Sequence, residues 1–106
     1  MKIIPYHKLV RDKIPEIIEA AGKSCVTEIL SEEEYFELIN AKLDEELAEY
    51  HADHSLEELA DLMEVIRAAA AELGSSPEEL ERIRQEKHEK RGGFEKKLLL
   101  KEVGED

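Results

Sequence analysis

The chain has 106 residues, of which 42% are apolar, enough for one domain with one modest core and too apolar for a disordered chain. With 5% aromatic residues and no Trp, that core must be built from Leu, Ile, Val and Ala, which suits helices better than a β-sandwich. A net charge of −12 excludes a general binder of the nucleic-acid backbone.

The opening MKIIPYHKLVRDK is not a signal peptide, and no apolar run is long enough to span a membrane. The single cysteine, Cys25, excludes an intramolecular disulfide framework and fits a reducing compartment. The expectation is a soluble, cytoplasmic single domain over residues 1–106, with no membrane and no nucleic-acid partner.

Residues 1–10 read as an irregular lead-in interrupted by Pro5. Asp12 is placed to cap a first helix with Pro15 in its first turn, and Gly22 to stop it. Ser24–Leu30, rich in Val, Thr and Ile, offers a brief strand. Ser31-Glu-Glu-Glu34 has capping-box spacing and opens a second helix with the apolar stripe Phe36, Ile39, Leu43, Leu47, Tyr50. The break falls at His51-Ala-Asp-His54. Ser55-x-x-Glu58 is another capping box, opening a third helix to about Leu73, before Gly74. Ser76-Pro-Glu-Glu79 opens a fourth, ended by Gly92-Gly93, and the tail carries a second short strand at Leu98–Val103 that would pair with Ser24–Leu30. Short connections make an all-α, antiparallel helical bundle the expected fold, with this strand pair as its accessory.

The third helix is apolar on more than one side. Leu59, Leu62, Met63, Ile66, Ala70 and Leu73 form a stripe, and Val65, Ala68 and Ala69 widen it. So small a domain covers one such face more easily than two, which predicts a homo-oligomer, a dimer completing a four-helix core in the first instance.

Charge is unevenly spread. From Ser31 through Glu81 there are 17 Asp or Glu and two cations, Lys42 and Arg67, whereas 8 Lys or Arg follow from Arg82 on. Most of these charges read as solvated helix faces. Within the acidic stretch, however, Glu45-Glu46-x-x-Glu49 lies late in one helix and Glu58-x-x-Asp61 early in the next. Residues three apart project to the same side, and helices joined by a short loop run antiparallel, so the two groups converge. On a helical wheel Glu46 borders the apolar stripe, Glu49 lies one step further round, and Glu45 points away. Clustered carboxylates raise one another's pKa unless a cation neutralises them. All-oxygen ligands suit a hard ion, Mg²⁺ or Mn²⁺, rather than zinc. Glu58 also sits where a capping glutamate belongs, which alone would explain it.

The acidic pattern resembles the signature of the MazG-like all-α nucleotide pyrophosphohydrolase superfamily. That superfamily includes MazG, dimeric dUTPases, dCTP pyrophosphatases and phosphoribosyl-ATP pyrophosphohydrolase. The opening Lys8-Leu-Val-Arg11-Asp-Lys13-Ile-Pro-Glu16 and the late Lys87-x3-Arg91-Gly-Gly-Phe94 are similar to its phosphoribosyl-ATP pyrophosphohydrolase-like, house-cleaning branch. Together these motifs cover nearly the whole chain. The resemblance implies oligomerisation and Mg²⁺-dependent cleavage of a nucleoside triphosphate to monophosphate and pyrophosphate. It implies metal ligands at Glu46, Glu49, Glu58 and Asp61, and Glu45 as the residue that orients or deprotonates the attacking water. Lys8, Arg11, Lys13, Lys87 and Arg91, with Lys90, are the candidate phosphate-binding cations.

A non-enzymatic helical binding or regulatory module is the alternative from another class. A di-iron carboxylate protein is excluded by spacing, because no Glu precedes His51, His54 or His88 by three residues. His51-x-x-His54 lacks the cysteine partners of a zinc site. Cys25 reads as a buried structural thiol, and Phe94 as a core residue or a surface against a base.

Overall fold

Four α-helices make up the regular structure of the computed structural model, which describes residues 2–105: α1 (Ile14–Ala20), α2 (Glu32–Ala52), α3 (Leu56–Glu72) and α4 (Pro77–Arg91). The fold is all-α, as the composition and periodicity predict.

The serine caps place three helix starts. Ser31, Ser55 and Ser76 each accept a hydrogen bond from the backbone N–H three residues on, at 3.2, 3.3 and 3.1 Å. Each therefore satisfies a donor that the first helical turn leaves free. Ser55→Ala should cost about 1 kcal/mol of stability, read as a lower midpoint in thermal or urea unfolding. An unchanged midpoint would show that water replaces the cap at no cost.

The first helix departs from expectation. Asp12 does not cap it: Lys13 occupies the N-cap without a side-chain bond, and Pro15 falls within the first turn. Gly22 ends it at φ +83°, a left-handed conformation that costs glycine little. The Gly22 and Lys23 amides donate back to Glu19 and Ile18, closing the turn. The lead-in is irregular over its described residues, Met1 lying outside them.

Helices α2 and α3 form the antiparallel hairpin that organises the molecule, and α4 packs against α3. The pairing of ends is visible in the carboxylates. Glu72, at the end of α3, meets Glu32 at the start of α2, and Glu58 meets Glu49 at the opposite end. Ile39, Val65 and Ala70 are the buried apolar residues. The C-terminal half of α3 and the start of α4 enclose a small groove of about 300 Å³ between Ile66, Ala70, Leu73, Leu80 and Ile83. Beyond those turns α4 runs exposed and is held by ion pairs of its own, Arg82 with Glu79 and Glu86, and Arg84 with Glu81.

The expected strand pair does not form. Among the described residues there is no strand, and both 24–30 and 98–103 run as irregular chain. Val26 and Ile29 in the first segment and Leu98, Leu99, Leu100 and Val103 in the second are exposed, while Leu30 is half-buried. Phe94 is likewise 97% exposed, neither core nor pocket wall, and Cys25 is half-buried rather than enclosed.

The molecule is correspondingly extended. Its radius of gyration is 18.9 Å, where a compact chain of this length has about 13 Å.

Candidate metal centre

The α2–α3 hairpin brings the acidic residues together at the end where α2 finishes and α3 begins. Oxygens of Glu46, Glu58 and Asp61 lie within 4.8 Å of one another, as do those of Glu45, Glu46 and Glu49. Glu46 belongs to both groups and joins them. It is 7% exposed, and its Oε2 has no hydrogen-bond partner. Glu58 Oε2 is shielded in the same way, also without a partner. Buried polar atoms are almost always paired, and these residues form groups that could hold a metal ion. The set is all oxygen and anionic, which fits a hard divalent ion.

The local electrostatics agree. Burial first, then the neighbouring charges of Glu49 and Asp61, push the Glu46 carboxyl above the usual carboxylate range, with Lys42 opposing. Burial and the charges of Glu49, Asp61 and Asp53 push Glu58 up as well. Glu45 behaves differently. Burial would raise it, but hydrogen bonds and charge from Lys8 and Lys42 hold it below its ordinary value.

These opposite shifts give a pH dependence. Glu46 and Glu58, together with Glu72 beside Glu32, bind a proton more tightly folded than unfolded. Between the ordinary carboxylate pKa and their raised values the native state therefore holds more protons, and stability falls as pH rises through that window. Glu45 opposes this only below its ordinary value, where its stabilisation is lost as pH falls. In chelator, the melting temperature should rise on going from about pH 7 to about pH 5. A steady fall over that range would contradict the raised carboxyls.

Cations from the N-terminal segment reach the cluster. Arg11 Nη2 donates to Asp61 Oδ1 at 2.8 Å, and Lys8 Nζ to Glu45 Oε1 at 3.2 Å. Among the described residues Lys13 pairs with no carboxylate, and it lines the adjoining cavity. That cavity, about 850 Å³, lies between Leu9–Ile14, Ile17, Tyr35, Ile39, Lys42, Glu46, Asp61 and Val65. Its wall mixes the charged Arg11, Lys13, Lys42, Glu46 and Asp61 with apolar Leu9, Ile14, Ile17, Ile39 and Val65, and its volume is in the range of small-molecule sites.

Three features differ from the sequence reading. Glu45 is not turned away: it is half-buried, and Lys8 and Lys42 draw it to the cluster. Glu49, expected as an inward partner of Glu46, is exposed as a residue although its carboxylate reaches the group. Lys87 and Arg91 are not brought to the carboxylates within one chain, because α4 packs on the C-terminal half of α3 and its later turns, with Lys90, stand in solvent.

Two participants were absent from the predicted site. Lys42 Nζ sits 3.3 Å from Glu45 and 3.7 Å from Glu46, at the i,i+3 and i,i+4 spacings that could have identified it. Tyr35 lines the cavity opposite the N-terminal segment, a placement that no local spacing signals.

No helix among the described residues is long and apolar enough to cross a membrane. No family model matches the chain, and no solved structure matches it. It is similar to an uncharacterized protein of Mycolicibacterium smegmatis (strain ATCC 700084 / mc(2)155), 53% identical over 45 residues, which is 42% of this chain and 46% of that protein. The similarity thus spans less than half of the relative's length.

Proposed function

We propose that the chain is a cytoplasmic, Mg²⁺-dependent nucleoside triphosphate pyrophosphohydrolase of the MazG-like kind, releasing monophosphate and pyrophosphate, with noncanonical nucleotides as house-cleaning substrates. The observation that carries this reading is Glu46, nine-tenths buried with an orphaned oxygen, at the junction of the two carboxylate groups and on the wall of the cavity. Mg²⁺, with Mn²⁺ as a substitute, would be held by Glu46, Glu49, Glu58 and Asp61. Bound there, the cation supplies neutralising charge and Lewis acidity to the triphosphate.

The chain's own residues divide the remaining work. Glu45, kept ionised by Lys8 and Lys42, accepts a hydrogen bond from the attacking water and orients it. Its low basicity suits orientation better than proton removal. Water adds at the α-phosphorus and gives up a proton to solvent, the bridging P–O bond of the α–β anhydride breaks, and pyrophosphate leaves with the bond's electron pair. Arg11 and Lys13 face the space where phosphates would lie, Arg with the bidentate fork that suits them. The apolar wall of Leu9, Ile14, Ile17, Ile39 and Val65 would take the base. The loop between α2 and α3 is too short to form such a wall, and the N-terminal segment takes that role. Catalysis of this class depends on position and charge more than on covalent chemistry.

The working unit is a homo-oligomer. The α3 stripe of Leu59, Met63, Ile66 and Leu73 is exposed, at the 4-3 spacing of a helix seam. Its exposure equally favours a second reading, a helical interaction module without enzymatic activity. Calorimetry with Mg²⁺ or Mn²⁺ separates the two, since such a module has no reason to take up the ion. The direct test is pyrophosphate release from a panel of ordinary and damaged nucleoside triphosphates, with Mg²⁺ and with chelator. Release that requires the metal and is abolished by Asp61→Asn is expected. Equal release by wild type and Asp61→Asn would overturn the assignment.

A further inference from the structure

The N-terminal segment is fastened to the helical hairpin at two points, both of them ionic. Lys8 Nζ lies 3.2 Å from Glu45 on α2, and Arg11 Nη2 lies 2.8 Å from Asp61 on α3. Among the described residues these are the only hydrogen bonds and ion pairs that join residues 2–23 to α2 or α3. Helix α1, which follows the segment, packs against none of the other helices. The space between the segment and the hairpin is the cavity of about 850 Å³ rather than a packed contact. Val10 and Ile17 on its rim accordingly stay exposed.

Both fastening points are carboxylates of the candidate metal centre. Glu45 and Asp61 belong to the two oxygen groups that share Glu46, whose buried Oε2 has no partner. A divalent ion entering through Glu46 therefore sets two positive charges beside Lys8 and Arg11 alike, and at Asp61 it competes for the oxygen itself. The fastenings are weak enough to yield. The Lys8 and Arg11 side chains are 55% and 57% exposed, and ion pairs so open to water hold little. Lys42, which belongs to α2 itself, stays 3.3 Å from Glu45 and keeps that carboxylate paired when Lys8 leaves.

We propose that segment 8–13 is a strap released by metal uptake. In the metal-free chain Lys8 and Arg11 hold it across α2 and α3, where it walls the cavity. A divalent cation at Glu46 and Asp61 takes their place, the strap loosens, and both cations become free for phosphate oxygens. The inference rests on the metal site of the preceding reading but not on its reaction, since it needs a divalent ion and no nucleotide. Ion and strap compete for the same carboxylates, so by linkage whatever loosens the strap also tightens the ion.

A nitroxide label on the strap reads its position. It is attached through Tyr6→Cys, at an exposed site, in the full chain carrying Cys25→Ser, and the amide signals of α2 and α3 are followed by nuclear magnetic resonance. In chelator the label should quench the signals around Glu45 and Asp61. Saturating Mg²⁺ should restore their intensity by at least about twofold as the strapped population falls, and NaCl at equal ionic strength should not. The unlabelled chain reports uptake separately, as Mg²⁺-dependent shifts of the Glu46 and Glu58 amides. Lys8→Gln combined with Arg11→Gln should release the strap in chelator, restoring the signals before any metal is added. Shifted Glu46 and Glu58 amides with undiminished quenching would overturn the strap and leave the metal site standing, whereas absent shifts would overturn both. Equal recovery in NaCl, or quenching that survives in the double variant, would also overturn the proposal.

Discussion

Glu46→Gln should abolish Mg²⁺-dependent pyrophosphate release, lowering turnover by at least about a hundredfold, the scale on which loss of a charge-stabilising group is felt. The same variant should fold at least as well as wild type in chelator. Burial and the nearby Glu49 and Asp61 charges push the Glu46 carboxyl above its ordinary value, so its charged form is disfavoured in the metal-free chain. Gln removes that charge while preserving shape. The two effects have opposite signs because the group costs stability in the metal-free chain and contributes ligand charge in the metal-bound one. Thermal melts make the contrast measurable: saturating Mg²⁺ should raise the wild-type melting temperature on the order of 10 °C and the variant's little or not at all. A variant that keeps both its turnover and its Mg²⁺-induced shift would remove Glu46 from the site, and with it the reason for placing a cation there.

Glu46 also shows what sequence can and cannot carry. Its place beside the apolar stripe follows from helical periodicity, and the convergence of the two acidic groups follows from a hairpin closed by Ser55. Both depend on contacts near in sequence, as do the starts of α2, α3 and α4 at serine caps. What the pattern misjudged depends on distant parts of the chain. Glu45 lies off the stripe, yet Lys8, 37 residues away, draws it in. The strand propensity of Ser24–Leu30 and Leu98–Val103 is real, but a strand exists only where a partner lies alongside, and each segment lacks one within the chain. Lys87 and Arg91 carry the spacing of a phosphate-binding motif, but α4 packs on the C-terminal half of α3 and leaves both exposed, and no local signal reports that packing.

Arg11 makes the sharpest separation between binding a metal and handling a substrate. Its guanidinium lies 2.8 Å from Asp61 Oδ1, so a cation taken up at that oxygen competes with it. Both partners are about half exposed, and ion pairs of this kind are worth about 0.2–1 kcal/mol. Arg11→Ala should therefore tighten Mg²⁺ binding to the free protein modestly, by up to about fivefold on that scale. The freed guanidinium is the group proposed to meet the triphosphate, where a charge-assisted bond is worth about 1.5–3 kcal/mol. Losing it should lower the proposed nucleotide turnover by about ten- to a hundredfold in kcat/KM. Arg11→Lys should restore part of this, since Lys keeps the charge but not the bidentate fork. Calorimetry with Mg²⁺ and steady-state kinetics on the same preparations read the two effects separately. If both constants worsen together, Arg11 is holding the cluster in shape rather than passing from carboxylate to phosphate. The N-terminal segment would then be a structural clasp on α3 and not part of the substrate site.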